Sequence, residues 1–100
     1  MNQVVQIFIS QLLREGAGRY LVLTMRTPAF DPSIVGQHHA FLNRLREKGL
    51  IEMAGPFTDQ SGGAYLLRVD SVEQAKAIAN TDPLHVSKSS VVTVRPWQAT

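Results

Sequence analysis

Cysteine is absent from this chain of 100 residues, which excludes a disulfide scaffold and any chemistry that depends on a thiolate. A reducing compartment is compatible with that absence, and the cytoplasm is the default expectation. No apolar run approaches the roughly 20 residues that a membrane-spanning helix needs. The first residues carry an apolar patch but lack a basic stretch and a small-residue cleavage motif, so we expect neither a secretory signal nor a membrane partner.

Runs of like charge are also missing. Ten Lys and Arg residues stand against eight Asp and Glu residues, for a formal net charge of +2. Acids interleave with bases, as Glu47 does between Arg46 and Lys48. This pattern indicates a solvated surface and not a track for phosphates, so we expect no nucleic-acid partner.

Hydrophobic patterning predicts alternating strands and helices. Two apolar faces alternate through residues 20–26, which is typical of a central strand. A helix follows, with Asp31 as its N-cap, Pro32 in its first turn and Gly49 at its end. A second helix opens at Ser71. Further strands are predicted at 50–55, 64–70 and 91–97.

The resulting order, β-α-β-β-α-β, predicts an α+β fold of the ferredoxin-like type, in which both helices cover one face of an antiparallel sheet. We assign residues 20–100 to this domain. Residues 1–19 are assigned to an N-terminal helical extension, because apolar residues at 4–13 recur at helical spacing. The strands have apolar residues on both faces, so the uncovered face is expected to associate, and we predict a homodimer through the sheet.

Two of the three histidines are adjacent in the first predicted helix. At about 100° per residue the apolar side chains form one stripe, and His38 falls at its centre. His39 falls at the edge, beside Arg46, and is expected at the surface. The ring of His38 must find a hydrogen-bond partner near the sheet or lose about 1–3 kcal/mol. It is either a satisfied core histidine or a pocket histidine that serves as a general acid or base.

Asp82 is the candidate partner for His38. It precedes Pro83 and therefore leaves the α conformation just after the second helix. A carboxylate there can hold one ring nitrogen of His38 and leave the other for a substrate. The same Asp-Pro pair also fits an N-cap followed by one more helical turn. The residues alone leave both interpretations open.

Other site types find little support. A metal site would combine His38, Asp82 and His85, but this spacing matches no standard zinc pattern, so we expect no metal. The glycine-rich stretch at 61–63 lacks the Lys and the following helix of a phosphate-binding loop. No serine stands in the context of a nucleophile elbow.

The chain resembles the YCII-related family in three segments, which are HHAFLNRLREKGLIEMAGPF, YLLRVDSVEQAKAIANTDPL and VTVRPW. Members have a His in a helix that ends in Gly, an Asp-Pro pair after the second helix, and a last strand that ends in a basic residue, Pro and an aromatic. The resemblance covers roughly residues 20–97. It implies a ferredoxin-like dimeric α/β barrel with a His–Asp active-site pair in a cleft.

The family positions map onto His38, which lies eleven residues before Gly49, and onto Asp82. His39 does not match the motif. Members often have a small Ala-Gly stretch after the aspartate, whereas this chain has HVSKSS at 85–90. That departure leaves the shape of the pocket and the substrate open.

The resemblance implies a small enzyme-like protein whose relatives by fold include muconolactone isomerase and cofactor-free monooxygenases. The leading hypothesis is a lyase or isomerase that needs no cofactor and moves a proton on a small anionic organic acid. His38 would transfer the proton and Asp82 would orient the ring. Arg26, at the end of the first strand, would bind a substrate carboxylate, although a solvent-exposed charge at a strand end is an equal interpretation.

Two alternatives to an enzyme remain open. The first is a non-catalytic module that binds small metabolites or regulates a larger assembly, since a ferredoxin-like fold does not by itself determine a function. The second is a structural dimer in which His38 is a satisfied core residue. A solvent-accessible ring paired with a carboxylate would distinguish a site from a core residue.

Overall fold

The computed structural model of the protein describes residues 18–100. The predicted helix at 4–13, and with it most of the predicted extension, lies outside the described residues. The elements are β1 (Arg19–Arg26), α1 (Val35–Glu47), β2 (Ile51–Pro56), β3 (Gly62–Arg68), α2 (Val72–Ala79), α3 (Pro83–Val86) and β4 (Ser90–Pro96), with a 3-10 turn at Pro32–Ile34. No helix between residues 18 and 100 has the length and hydropathy to cross a membrane.

The four strands form one antiparallel sheet in the order β2-β3-β1-β4. With a helix between β1 and β2 and helices between β3 and β4, this confirms the ferredoxin-like prediction. β1 is central, and its register places Thr24 beside Gly63 of β3 and Arg26 beside Ser90 of β4. Residues that are far apart in the chain therefore meet at one end of the sheet.

The core lies between the sheet and the helices. Tyr20, Val22 and Thr24 of β1 are buried, while Leu21 and Leu23 between them are half-buried. The buried face of β1 continues into β3 and meets the inward side chains of both long helices, in a cluster that includes Tyr65, Leu67, Phe41, Leu42, Leu45, Ala75 and Ala79. Among the described residues, none from the opposite face of the sheet belongs to this cluster.

Local signals determine where α1 begins and ends. Asp31 Oδ1 accepts a hydrogen bond from the Ser33 backbone N–H at 2.9 Å, so Asp31 caps the 3-10 turn that leads into the helix. After the helix, Gly49 adopts a φ of 70°, which glycine reaches without a steric penalty. The predicted start signal, Asp31, and the predicted stop signal, Gly49, are both present. The 3-10 turn before the helix is the one feature here that the sequence does not predict.

The segment after α2 is more regular than the sequence predicts. Residues 81–90 read as irregular, but Pro83–Val86 form a helical turn, α3. Asp82 is its N-cap and accepts a hydrogen bond from the Leu84 N–H at 2.9 Å. The N-cap interpretation of Asp82 is therefore confirmed. Because α3 packs against α1, the cap also brings Asp82 beneath the first helix.

Candidate active site

His38 lies on the core side of α1. Phe41, Leu42 and Leu45 of the same helix are buried, and the side chain of His38 is 13% exposed. Its ring centroid is 6.0 Å from that of Tyr65 and 6.4 Å from that of Phe41. The imidazole is thus surrounded by aromatic side chains on the protein side and still retains access to solvent.

His38 and Asp82 are in direct contact. Nδ1 of the imidazole lies 2.9 Å from Oδ1 of the carboxyl group, and Asp82 has no exposed surface. A buried carboxylate without partners would be very costly. The surroundings of Asp82 must therefore supply hydrogen-bond donors.

Two further donors reach the same carboxyl group. The Tyr65 hydroxyl donates to Oδ2 at 3.0 Å, and the Leu84 backbone N–H donates to Oδ1 at 2.9 Å. Both oxygens are therefore occupied, which is the arrangement of an ionised carboxylate that accepts only. Tyr65 lies on the buried face of β3. Asp82 therefore receives hydrogen bonds from two groups of the protein interior, the Tyr65 hydroxyl and the Leu84 N–H, and from His38.

Tyr65 remains a hydrogen-bond donor because its phenol holds its proton strongly. Burial raises the pKa of Tyr65 well above its ordinary value of 10.0, and the nearby charge and hydrogen bond of Asp82 raise it further. A phenolate beside a carboxylate would bring two negative charges together in a medium of low dielectric. The neutral phenol instead stabilises the charge of Asp82.

The hydrogen bonds determine which nitrogen of His38 can do chemistry. Because Asp82 only accepts, Nδ1 of His38 carries the proton of the shared hydrogen bond. In the neutral ring, Nε2 then has the lone pair and can accept a proton from another molecule. No described residue forms a hydrogen bond with Nε2. The arrangement has the geometry of a general base oriented by a carboxylate.

His38 forms part of the wall of an open cavity of about 270 Å³. This volume is close to the lower end of the range for small-molecule pockets, roughly 300 Å³, and suits a ligand with a single ring. The lining residues come from the end of the sheet, the loop after β1, α1 and α3: Thr24, Arg26, Phe30, Val35, His38, His39, Leu42, Gly55, Pro56, Gly62, Gly63, Ala64, Leu84 and Ser90.

The wall of the cavity carries a cationic side chain. None of its described lining residues is acidic, and Arg26 is among them. The Arg26 guanidinium carbon lies 4.2 Å from the centre of the Phe30 ring, a cation–π arrangement that orients the side chain. The negative charge of Asp82 is behind His38 and has no exposed surface. The charged groups of the site are thus the exposed Arg26 guanidinium and the buried Asp82 carboxylate.

The comparisons with known proteins agree with the fold and the family pattern. The family model described as a YCII-related domain matches residues 19–98. The chain belongs to this family. It is 46% identical over 79 residues to "Uncharacterized protein YjpA" of Bacillus subtilis (strain 168), over 79% of this chain and 93% of that protein.

A solved structure with the fold of this YCII-related domain illustrates the likeness. It is 5-chloro-2-hydroxyhydroquinone dehydrochlorinase (TftG) from Burkholderia phenoliruptrix AC1100, in complex with 2,5-dihydroxybenzoquinone. The TM-score is 0.62 at 19% sequence identity, and the match covers 82% of this chain and 95% of that chain. The resemblance noted from the residues is confirmed at the level of family and fold.

The other histidines of this YCII-related domain have different surroundings. His39 is exposed as expected, but it also lines the cavity, which the helical phase does not predict. His85 is exposed on α3 and is not among the lining residues. Within residues 18–100, no group of three potential metal ligands is close enough to hold an ion.

Sequence reasoning missed two polar residues of the site. Tyr65 reads as a buried strand residue, and only the general need of a buried tyrosine hydroxyl for a partner points to a further role. Ser90 reads as part of a serine-rich connection, although it begins β4 and lines the cavity. Arg26, by contrast, lies in the cavity wall, as its position at the end of β1 allows.

Proposed function

We propose that this YCII-related domain is a lyase or isomerase that needs no cofactor and transfers a proton on a small anionic organic acid. The observation that carries the proposal is the His38–Asp82 pair, with a 2.9 Å contact between a partly exposed ring and a fully buried carboxylate. General acid–base catalysis by histidine needs a ring nitrogen that a substrate can reach, and a carboxylate at the other nitrogen orients the ring.

The chemistry follows from the two ring nitrogens. Nε2 of His38 removes a proton from an acidic C–H or O–H of the substrate, and the electron pair of that bond stays on the substrate. The imidazolium that forms keeps its Nδ1–H bond to Asp82, whose negative charge stabilises it. The same proton then returns to another atom of the substrate, as in an isomerase. In a lyase, the electron pair left on the substrate forms a double bond, the bond to the leaving group breaks with its pair on that group, and the imidazolium donates the proton to it.

The proposed substrate class rests on charge and size. Arg26 can bind a carboxylate through two parallel hydrogen bonds, or an ionised hydroxyl through one, and its contact with Phe30 leaves the guanidinium oriented. The cavity of about 270 Å³ has room for one six-membered ring with substituents, since a cavity of about 150 Å³ already holds benzene. The acidic single-ring quinone in complex with TftG is a ligand of the same size class, which supports its use as a probe.

A proton-exchange experiment tests the proposed function. Wild type is incubated in D₂O with 2,5-dihydroxybenzoquinone and with a panel of small hydroxy acids and lactones, and loss of the acidic C–H signal is followed by ¹H NMR. We expect catalysed exchange with at least one compound. His38→Gln should reduce the rate by about 100-fold or more, because positioned general bases contribute roughly 10²–10⁴-fold.

His85→Gln is the matched control, since it makes the same change at an exposed histidine outside the cavity. It should leave the exchange rate unchanged. Exchange that survives His38→Gln would contradict the role of His38. Ligand binding to wild type without any exchange or turnover would favour the non-catalytic metabolite-binding module instead.

We also propose that two copies associate through the sheet face that lies opposite the helices. Met25, Met53 and Val91 lie on that face and are 37%, 63% and 56% exposed. Large apolar side chains clustered at this level of exposure are typical of an interface. A dimer of this kind is also what the family resemblance implies.

A further inference from the structure

We propose that the Ser90 hydroxyl is a ligand-binding group, which donates a hydrogen bond to an anionic oxygen of a ligand that Arg26 holds. The inference deepens the proposed function, because it assumes that the cavity takes a small organic anion. It does not assume that His38 transfers a proton. Binding and catalysis can therefore be tested separately.

The first observation is an unsatisfied hydroxyl. Ser90 is 5% exposed, and its Oγ is the only buried side-chain N or O atom in residues 18–100 without a hydrogen-bond partner. Leaving a buried hydroxyl without a partner is unfavourable, so such atoms are rare in native proteins and call for an explanation. A ligand oxygen that completes the bond is one such explanation.

The polar groups next to Ser90 have hydrogen-bond partners, unlike the Ser90 hydroxyl. Ser89 Oγ accepts a hydrogen bond from the Asp31 N–H at 3.3 Å and another from the Ser87 hydroxyl at 2.9 Å. The Thr27 hydroxyl donates to the backbone carbonyls of Lys88 and Ser89, both at 3.1 Å. The chain just before Ser90 is thus tied down by several bonds. The unsatisfied hydroxyl belongs to a well-ordered part of the cavity wall.

The second observation is position. Ser90 lies directly opposite Arg26 in the β1–β4 register, and cross-strand partners project to the same side of a sheet. Both residues line the cavity, and none of the described lining residues is acidic. Serine has one χ1 torsion with three staggered wells, so a single rotation can turn the hydroxyl toward a ligand. Beside a guanidinium, the favoured partner of a hydroxyl donor is an anionic oxygen.

The role of Ser90 is tested by measuring ligand affinity and fold stability in the same variants. The probe is 2,5-dihydroxybenzoquinone, titrated into the full chain by isothermal calorimetry at neutral pH. We expect Ser90→Ala to weaken binding by about tenfold or more, since hydrogen bonds to charged groups are worth that much. Its melting temperature should stay equal or rise, because the variant removes an unsatisfied hydroxyl.

Thr58→Ala is the control, since it also removes a hydroxyl but at an exposed position outside the cavity. It should leave the dissociation constant unchanged. An unchanged dissociation constant in Ser90→Ala, or a lack of binding to wild type, would overturn the assignment. So would a lower melting temperature in Ser90→Ala with normal affinity, which is the result expected of a structural hydroxyl.

These outcomes are distinguishable from failure of the proposed function. His38→Gln should still bind the probe while losing proton exchange. If Ser90→Ala binds as wild type does but His38→Gln loses exchange, the Ser90 assignment is wrong and the proposed function stands. If Ser90→Ala loses affinity while no variant or wild type catalyses exchange, the binding site stands and the enzymatic proposal is wrong.

Discussion

Asp82 combines two roles that the sequence presents as alternatives. Its Oδ1 accepts from the Leu84 N–H, as an N-cap does, and contacts His38 Nδ1, as the carboxylate of a dyad does. A carboxylate has about four lone-pair sites on its two oxygens, so the roles do not compete. Because the cap and Tyr65 together hold both oxygens, Asp82 is oriented toward His38 before any ligand binds.

Tyr65→Phe tests how much this carboxylate depends on its donors. The variant keeps the ring in the core but removes the hydrogen bond to Asp82 Oδ2. We expect the free energy of unfolding at neutral pH to fall by about 1–3 kcal/mol, because a buried charge loses a partner. Urea denaturation measures the change. Tyr20→Phe removes the hydroxyl of another core tyrosine, one that does not contact Asp82, and an equal loss there would contradict this explanation.

Tyr65 also gives the stability a pH dependence of defined sign. Its pKa is raised in the folded protein, whereas in the unfolded chain it is about 10. Below about pH 10 the Tyr65 phenol is protonated in both the folded and the unfolded protein, so its contribution to the free energy of unfolding is fully present. Above it the unfolded chain loses the proton first, and the free energy of unfolding falls by up to roughly 1.4 kcal/mol per pH unit.

The measurement is urea denaturation of wild type and Tyr65→Phe at several pH values between about 9 and 11. Tyr65→Phe should lack the part of the alkaline slope that this phenol contributes, while Tyr20→Phe should retain it. Equal slopes in wild type and Tyr65→Phe would mean that the phenol titrates alike in both states. The proposed stabilisation of the Asp82 charge by a neutral Tyr65 would then be wrong.

Among single residues, those with local signals could be found from the sequence. Helical phase selects His38, and the Asp-Pro pair selects Asp82, because each signal lies within a few neighbouring positions. Tyr65 could not be found in this way. Its strand pattern predicts burial, but the acceptor of its hydroxyl lies 17 residues away in the chain. Only the packing of α3 against α1 makes that contact possible.

The turn that leads from α3 into β4 contains a strained residue. Lys88 has a φ of 60°, in the left-handed region that costs a residue with a Cβ roughly 1–2 kcal/mol. The turn is nevertheless held in place, because the Thr27 hydroxyl donates a hydrogen bond that the Lys88 and Ser89 carbonyl oxygens share. Two residues further along the chain, Ser90 lines the cavity.

Lys88→Gly should therefore stabilise the protein. Glycine removes the steric penalty at positive φ, although its greater freedom in the unfolded chain offsets part of the gain. We expect the free energy of unfolding to rise by about 0.5–1 kcal/mol. Lys88→Ala is the control, since it removes the same side chain but keeps the Cβ. A rise of equal size in Lys88→Ala would show that the lysine side chain, and not φ, is responsible.

Most elements could be predicted from the sequence because their boundaries carry capping and stop signals. Asp31 and Gly49 mark the two ends of the first helical segment, and Ser71 accepts a hydrogen bond from the Gln74 N–H at the start of α2. The irregularity between Ile51 and Met53 in the β2–β3 pairing has no such signal. It arises from how two strands meet, which a pattern within one strand does not encode.

At the level of the whole molecule, the strand order could be predicted because βαββαβ allows few arrangements that avoid crossed connections. The cavity could not be predicted from the sequence. Its wall combines Arg26, Leu84 and Ser90 with α1, and their proximity depends on the register of β1 against β4 and on the α3 turn. The substrate class is therefore argued from the cavity and not from the order of elements.

The open sheet face provides the last prediction, which concerns the assembly. Val91 lies opposite Met25 in the register, and both are exposed on the sheet face opposite α1, α2 and α3. We expect wild type to be a homodimer by size-exclusion chromatography with light scattering. Val91→Glu should be monomeric, because it would bury an unpaired charge in each half of the interface.

Gln37→Glu is the matched control, since it adds the same charge at an exposed position on α1. It should remain dimeric. The dyad and the Ser90–Arg26 pair lie on the helical side of the sheet, so a monomeric Val91→Glu should still bind the probe unless the partner completes the cavity. A monomeric wild type, or a dimer that persists in Val91→Glu, would show that this apolar face is not where two copies meet.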